Sequence, residues 1–235
     1  LLSDRQTRGL RFKDPGTFAI SNPTHYFSVL EEQGIILDGT KRRETIEAQI
    51  LELTKNAGVT VEQDDDLLSE VTNLVETPHA ILGSFEADYL SLPSEVLISV
   101  MKKHQRYFPV KKDNKLVPFF ITVCNRNKDV DQTGMELTLE GNEDVIRARF
   151  SDAAFFVKDD LQTPLEEYVP KLSALTFQTQ IGSMLDKTYR IEKLVGELAG
   201  NFGLDEKSEA YARRAAFLCK ADLVTKMVIE MTSLQ

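Results

Sequence analysis

The residues best suited to chemistry are concentrated in one run, Lys102-Lys103-His104-Gln105-Arg106-Tyr107-Phe108-Pro109. Lysine and arginine bind phosphate, His and Gln hydrogen-bond to a base or a ribose, and aromatic faces stack on unpaired bases. The run therefore indicates a surface for nucleic acid. It also has a structural interpretation, because Lys and His favour the negative C-terminus of a helix, which Pro109 would then end. Both interpretations hold together if that helix end lies at the surface.

This run lies in a basic stretch of a chain that is acidic overall, with a formal net charge of -9. Residues 102–128, the basic island, carry eight Lys or Arg side chains and one acid, whereas residues 62–101, the acidic block, carry nine acids and no Lys or Arg. A basic patch of this kind is typical of a surface for a polyanion or an acidic partner. Charge alone favours the alternative that the two blocks face each other or are merely solvated. The basic residues of the island are Lys102, Lys103, Arg106, Lys111, Lys112, Lys115, Arg126 and Lys128.

Familiar catalytic patterns are absent from the sequence. It contains no Walker P-loop, no Gly-x-Gly-x-x-Gly after a strand and no Gly-x-Ser-x-Gly elbow. Cys124 and Cys219 have no metal or redox spacing, which is typical of a reducing compartment. The acid pairs Asp159-Asp160 and Glu166-Glu167 have the chemistry of general acids and bases, but charged helix surfaces produce such pairs routinely. The sequence predicts no self-contained active site and no catalytic residue.

Hydrophobic periodicity over the first 140 residues predicts helices and short strands in alternation. Helices are predicted from Thr40 to Gly58, from Pro93, and after Asp64–Asp66, where the acids complement a positive helix N-terminus. The apolar runs 107–110 and 119–124, joined by a polar loop, predict a hairpin. Further strands are predicted at residues 59–61 and 79–83. We therefore expect an α+β module with a mixed or antiparallel sheet.

From Gly141 onward the pattern is helical, with helices predicted at about 142–157, 161–173, 183–202 and 208–231. Asn142 is predicted to cap the first of them. Arg147 and Arg149 point about 200° apart around that helix, so they cannot form one clamp. We expect one of them to pair internally, for instance with Asp152.

These patterns predict two modules, an α+β module at residues 1–175 and an all-helical one beginning at residue 176. The start of the chain does not have the features of a signal peptide, and no apolar run is long enough to span a bilayer. The first residue is not Met and the last segment stops in mid-pattern, so we expect a piece of a longer chain.

Two strings are specific enough to indicate a family: His104-Gln105-Arg106-Tyr107-Phe108-Pro109-Val110 and Lys220-Ala221-Asp222-Leu223-Val224-Thr225-Lys226-Met227-Val228. With them, the sequence resembles the β subunit of the bacterial-type, two-subunit glycyl-tRNA synthetase, in order and over essentially the whole chain. Further matching strings lie at residues 82–85, 92–98, 140–143, 147–153, 155–156, 176–178, 186–187 and 190–191.

The resemblance implies a subunit without the aminoacylation site. In this family glycine, ATP and Mg bind the α subunit, which is fused to β in some plastid-type relatives, while β contributes tRNA recognition and holds the assembly together. It implies an α subunit and a tRNA for glycine as partners, no cofactor in these residues, no membrane, and a bacterial cytoplasm or plastid stroma. Together with the basic island it makes five residues candidate tRNA contacts: Lys102, Lys103, His104, Arg106 and Arg126.

The resemblance further implies that residues 176–235 begin an HD-like domain, a fold related to metal-dependent phosphohydrolases. Such hydrolases hold their metal with a first His and an adjacent His-Asp pair. No His follows His104, and Lys220-Ala221-Asp222 replaces the pair, so we expect no metal site and a structural partner for Asp222. Two alternatives stay open: a phosphohydrolase of the HD type, and an architectural module that docks protein only.

Overall fold

The structure, a computed structural model, describes residues 5–10, 16–126 and 132–234. It divides into two compact units, Leu1–Phe150 and Ser151–Gln235. The helices are α1 (Pro23–Glu32), α2 (Gly39–Ala57), α3 (Asp65–Leu74), α4 (Ser94–Ser99), α5 (Gln132–Asp160), α6 (Met184–Asn201), α7 (Glu206–Leu218) and α8 (Lys226–Glu230). The strands are β1 (Gln6–Arg8), β2 (Thr17–Ala19), β3 (Thr60–Val61), β4 (Pro78–Ser84), β5 (Phe108–Lys112), β6 (Lys115–Asn125), β7 (Thr176–Gln178) and β8 (Gly182–Ser183).

The first unit is built on a four-stranded sheet of order β3-β5-β6-β4, in which every neighbouring pair is antiparallel. Apolar side chains of α2 and α3 pack against it, because Ile46, Leu67 and Val71 form one buried cluster with Phe108 and Val110. Helices and an antiparallel sheet in one unit confirm the predicted α+β class. The predicted domains, residues 1–175 and 176–235, stay a prediction.

The helices of this unit begin at the predicted places with small differences. Asp64 caps α3 by accepting a hydrogen bond from the backbone N of Leu67, as expected from the acidic run. The cap of α2 is Asp38 rather than Thr40, because the Asp38 carboxylate accepts from the backbone N of Thr40 and of Lys41. Gly58 ends α2 in the left-handed conformation, with φ 66°.

The hairpin β5–β6 confirms the strand prediction, and its loop is shorter than predicted. Lys112 pairs with Lys115, so the turn between the strands has only two central residues, Asp113 and Asn114. Both have positive φ, 50° and 61°, as a type I′ turn requires. On the adjacent strand β4, Gly83 lies opposite Phe120, whose ring stacks on Tyr107 with centroids 4.6 Å apart.

Two predictions about where helices begin and end are wrong. Helix α5 begins at Gln132, so Asn142 lies inside it; its Nδ2 donates to the Thr138 carbonyl, and its Oδ1 accepts from the Tyr107 hydroxyl at 2.7 Å. The single helix predicted at 208–231 is broken, because α7 ends at Leu218 and is followed by a 3₁₀ turn, Ala221–Val224, and by α8.

The second unit also contains the short antiparallel pair β7–β8, so residues 176–235 are not all helical. Its buried core combines Tyr168, Val169 and Leu172 of the 3₁₀ segment Leu165–Ala174 with Ala221. An HD-like fold for this unit stays a prediction.

Candidate nucleic-acid interface

The run singled out by the sequence begins in a π-helical turn, Val100–Gln105, that continues α4. Val100 and Met101 are buried, and Arg106 ends the turn in the left-handed conformation with φ 58°. The backbone N of Tyr107 then donates to the Met101 carbonyl at 2.9 Å, and the chain enters β5. The turn therefore carries the polar side chains of the run, while its aromatic residues enter the core.

Three cations of the basic island form ion pairs with three carboxylates of the acidic block. Lys102 Nζ lies 2.7 Å from Asp64 Oδ2, Arg106 Nε lies 2.8 Å from Glu70 Oε1, and Lys111 Nζ lies 2.5 Å from Glu62 Oε1. The Lys102 ammonium lowers the pKa of Asp64, and the Lys111 ammonium lowers the pKa of Glu62. The two blocks of charge therefore face each other at these three pairs, the alternative that charge alone favoured.

Arg126 holds the end of β6 to the start of α5. Its backbone N donates to the Thr77 carbonyl at 2.9 Å, and its guanidinium donates to the Gly134 carbonyl and, at 2.7 Å, to Thr138 Oγ1. Arg126 is not part of the turn that carries the other four candidates. Hydrogen bonds through Thr138 and Asn142 connect it to Tyr107, the residue that follows Arg106.

Three lysines of the island, Lys103, Lys112 and Lys115, are exposed. Within the described parts of the chain they make no hydrogen bond or ion pair with another side chain. His104 is half-buried beside Lys103, and its carbonyl accepts from Arg106 at 3.4 Å. Lys128 lies outside the described residues. The sequence places Lys112 and Lys115 in the basic island, but they are not among the predicted tRNA contacts. The signal that could have identified them is the two-residue turn between them, which places the two lysines directly opposite each other.

Three of the four acids in the acid pairs, together with Arg147, have structural partners. Asp159 lies 3.0 Å from Lys226 Nζ, and Glu166 lies 2.6 Å from Arg214. Asp160 accepts from the backbone N of Lys226 and of Met227, at 2.9 and 2.8 Å, in the first turn of α8. Arg147 confirms the expected internal pairing, but its partner is not Asp152: its guanidinium lies 2.5 Å from a carboxylate oxygen of Glu86 and 2.5 Å from one of Asp144.

Two groups in the first unit have pKa values raised by burial. Burial raises the pKa of Tyr107 to about 12 and raises the pKa of the Cys124 thiol. Among residues 5–10, 16–126 and 132–234, no three His, Cys, Asp or Glu side chains are grouped so that they could hold a metal ion. In the same residues no helix combines the length and the apolar character needed to cross a membrane.

Comparison with known proteins gives one consistent result. The family described as glycyl-tRNA synthetase beta subunit matches residues 1–235. The glycine–tRNA ligase beta subunit of Clostridioides difficile (strain 630) is 45% identical over 236 residues, which are 100% of this chain and 33% of that protein. Those of Moorella thermoacetica and Gloeothece citriformis are each 44% identical, over 100% and 99% of this chain and 33% of each protein. The chain thus spans about a third of the length of the curated relatives it matches.

Proposed function

This chain belongs to the glycyl-tRNA synthetase β-subunit family, and on that basis we propose that it is a non-catalytic part of a glycine–tRNA ligase, which attaches glycine to its tRNA using ATP. Its role there is to bind tRNA near the acceptor arm and to contact the catalytic subunit. The active site then lies in an α subunit, separate or fused, that binds glycine, ATP and Mg. These residues hold no cofactor of their own, and the ligase works in a bacterial cytoplasm or a plastid stroma, away from membranes.

The observation that carries the tRNA-binding role is the exposed part of the basic island. Lys103, Lys112 and Lys115 present ammonium groups on this unit. Four other cations of the island, Lys102, Arg106, Lys111 and Arg126, are neutralised by carboxylates or committed to backbone and hydroxyl oxygens. Phosphate contacts account for much of the affinity of proteins for RNA and DNA, and they require cations that reach solvent. The formal charge of -9 therefore does not oppose this role, because the relevant charge is local.

A crosslinking experiment tests the role on the complete protein together with its α subunit. Glycine tRNA carrying photoreactive uridines is irradiated with the complex, and the crosslinked peptides are identified by mass spectrometry. We expect crosslinks within residues 100–126 that unlabelled glycine tRNA suppresses and unrelated RNA does not. Specific crosslinks confined to other parts of the complex would remove tRNA binding from this chain.

An architectural role is the second candidate, and the ion pairs favour it. Lys102, Arg106 and Lys111 bind Asp64, Glu70 and Glu62, so the charged run also fastens α3 and β3 to α4 and β5. A module of that kind would dock protein rather than RNA. Loss of α-subunit binding in a Lys112→Gln, Lys115→Gln variant whose tRNA affinity is unchanged would support this candidate.

A further inference from the structure

The cations of the basic island differ in what a phosphate must displace to reach them. A phosphate that binds Lys102, Arg106 or Lys111 must compete with a carboxylate already 2.5 to 2.8 Å away. A phosphate that binds Arg126 must replace two hydrogen bonds that hold β6 to α5. An exposed lysine without such a partner loses only side-chain conformational entropy when it binds an anion, so the free-energy cost of binding is lower.

The tip of the β5–β6 hairpin carries two such lysines in an arrangement that the fold itself does not favour. Lys112 and Lys115 pair directly across the strands, and like charges in that relation destabilise a hairpin. Glu62 binds the neighbouring Lys111, and within residues 5–10, 16–126 and 132–234 neither Lys112 nor Lys115 forms an ion pair. A bound anion would relieve their repulsion.

The type I′ turn between these lysines fixes their spacing. Asp113 and Asn114 have φ of 50° and 61°, the conformation that matches the twist of a two-residue hairpin. The backbone that carries the two ammonium groups is therefore ordered before any ligand arrives, which lowers the entropy cost of binding.

Lys103 lies beside the ion pair of Lys102 with Asp64, because its charge also acts on the Asp64 carboxyl. The side chains of Lys112 and Lys115 are on the opposite face of the hairpin from Lys111, because successive residues of a strand point to opposite faces. The exposed lysines therefore lie at two places, the π turn and the tip of the hairpin.

We propose that Lys112, Lys115 and Lys103 make the phosphate contacts of this unit to an RNA backbone, and that Lys102, Arg106 and Arg126 hold the fold instead. This assignment rests on the proposed function and replaces three of the five contacts predicted from the sequence. The ligand chemistry is a row of phosphodiesters rather than one free phosphate, because the three lysines are exposed and lie on two separate turns, the π turn and the hairpin turn.

The test measures the affinity of the complete complex for glycine tRNA at several salt concentrations. Each phosphate contact contributes about 0.7 to 0.9 to the slope of log affinity against log salt. Lys112→Gln with Lys115→Gln should therefore lower the slope by about 1.5 and weaken binding about 10- to 30-fold near 0.15 M salt. Adding Lys103→Gln should lower the slope by about 0.8 more.

Two controls separate this assignment from a general effect of charge. Lys41→Gln with Lys207→Gln removes the same charge from α2 and α7 and should leave the slope unchanged. Arg106→Gln with Glu70→Gln removes an ion pair without changing net charge and should also leave it unchanged. The assignment is overturned if the hairpin variant keeps the wild-type slope, or if the Arg106 and Glu70 variant loses as much slope as the hairpin variant.

The crosslinking result distinguishes the two levels of failure. Specific crosslinks to residues 100–126 with an unchanged slope in the hairpin variant would sink the lysine assignment and leave the proposed function standing. An unchanged slope without any specific crosslink to these residues would remove both.

Discussion

At the scale of single residues, Asp64 shows how one side chain serves two purposes. One carboxylate oxygen accepts from the backbone N of Leu67 at 2.9 Å and caps α3, and the other binds Lys102 at 2.7 Å. The sequence indicated the cap because three acids precede a helical pattern. It could not indicate the ion pair, because the partner lies 38 residues away and meets Asp64 only in the folded sheet.

Replacing Asp64 should make stability depend on pH in a defined direction. Its pKa is lowered below the ordinary 3.8 in the folded state, so its contribution is present above that value and is lost as the pH falls through the folded pKa. Asp64→Asn keeps a capping oxygen but removes the charge, and we expect a loss of about 1 kcal/mol at pH 7. Urea unfolding at pH 7 and near pH 3 measures the difference, which should shrink at the lower pH.

The neighbouring Asp66→Asn variant is the control, because Asp66 is exposed in the first turn of the same helix. It should lose a few tenths of a kcal/mol at most. A loss for Asp64→Asn that is the same at both pH values would contradict the role assigned to its charge.

Gly83 is required by the close approach of Phe120. A Cβ at this position would lie 2.4 Å from Phe120 Cζ, and the ring cannot withdraw, because it is fully buried and stacked on Tyr107. We expect Gly83→Ala to cost about 2 to 3 kcal/mol of unfolding free energy. Gly141→Ala, inside α5 with nothing within 4 Å of the new Cβ, should be neutral or stabilising by up to about 1 kcal/mol. Equal effects of the two changes in thermal or urea unfolding would contradict this packing.

At the scale of elements, predictions succeeded where a segment carries its own periodicity and failed where a distant contact decides. The β5–β6 hairpin and helices α2 and α3 follow from their own residues. Gly141 and Asn142 resemble a helix start, yet α5 runs through them because Asn142 is held by Tyr107 and Thr138. The predicted helix at 208–231 breaks because Ala221 enters the core of the second unit.

The site shows the same division. Local sequence predicted the basic run, and the structure gathers Lys102, Lys103, His104 and Arg106 on and beside one turn. Arg126 shares their charge, but its guanidinium is already bound to groups at the start of α5. The sequence shows which cationic side chains are present. Only the folded structure shows which of them form an ion pair with a carboxylate or a hydrogen bond with a carbonyl.

Thr225 caps helix α8, and Asp160, 66 residues before Lys226 in the chain, adds two further hydrogen bonds to the first turn. Asp160 accepts from the first two backbone N–H groups of this five-residue helix, which is too short to persist alone. Asp160→Ala should speed hydrogen exchange at the Lys226 and Met227 amides and cost the second unit about 1 to 2 kcal/mol.

Asp159→Ala is the matched change, since it removes only an ion pair with Lys226, whose side chain is 53% exposed. It should leave the exchange of those two amides within about twofold of the wild type. Equal protection loss in both variants would contradict the role of Asp160 in that first turn.

At the scale of the whole molecule, the acidic block reduces the positive charge that the basic island presents to solvent. Glu62 and Glu70 neutralise Lys111 and Arg106 while both carboxylates remain half to largely exposed. The net charge of -9 is thus compatible with a polyanion partner, because the excess acids lie elsewhere along the chain.

Neutralising these two carboxylates should strengthen association with RNA through the electrostatic field. Glu62→Gln with Glu70→Gln frees two cations, and we expect the association rate with glycine tRNA to rise about two- to tenfold at low salt and to approach the wild-type rate near 0.5 M salt. Stopped-flow fluorescence of labelled tRNA measures it, with Glu52→Gln on α2 as the comparison. A rate that does not change, or that rises equally at high salt, would contradict a local positive field.

The π turn at Val100–Gln105 lets this surface absorb a change in the length of the chain. A π turn accommodates one residue more than the α-helix around it. Deleting a single residue such as Gln105 would therefore let the helix close with ordinary α geometry while Arg106 and the entry into β5 keep their places. A deletion in the middle of α2 has no such turn, so each side chain beyond it would rotate by about 100° about the axis. The length of the chain is therefore less constrained at the π turn than inside α2.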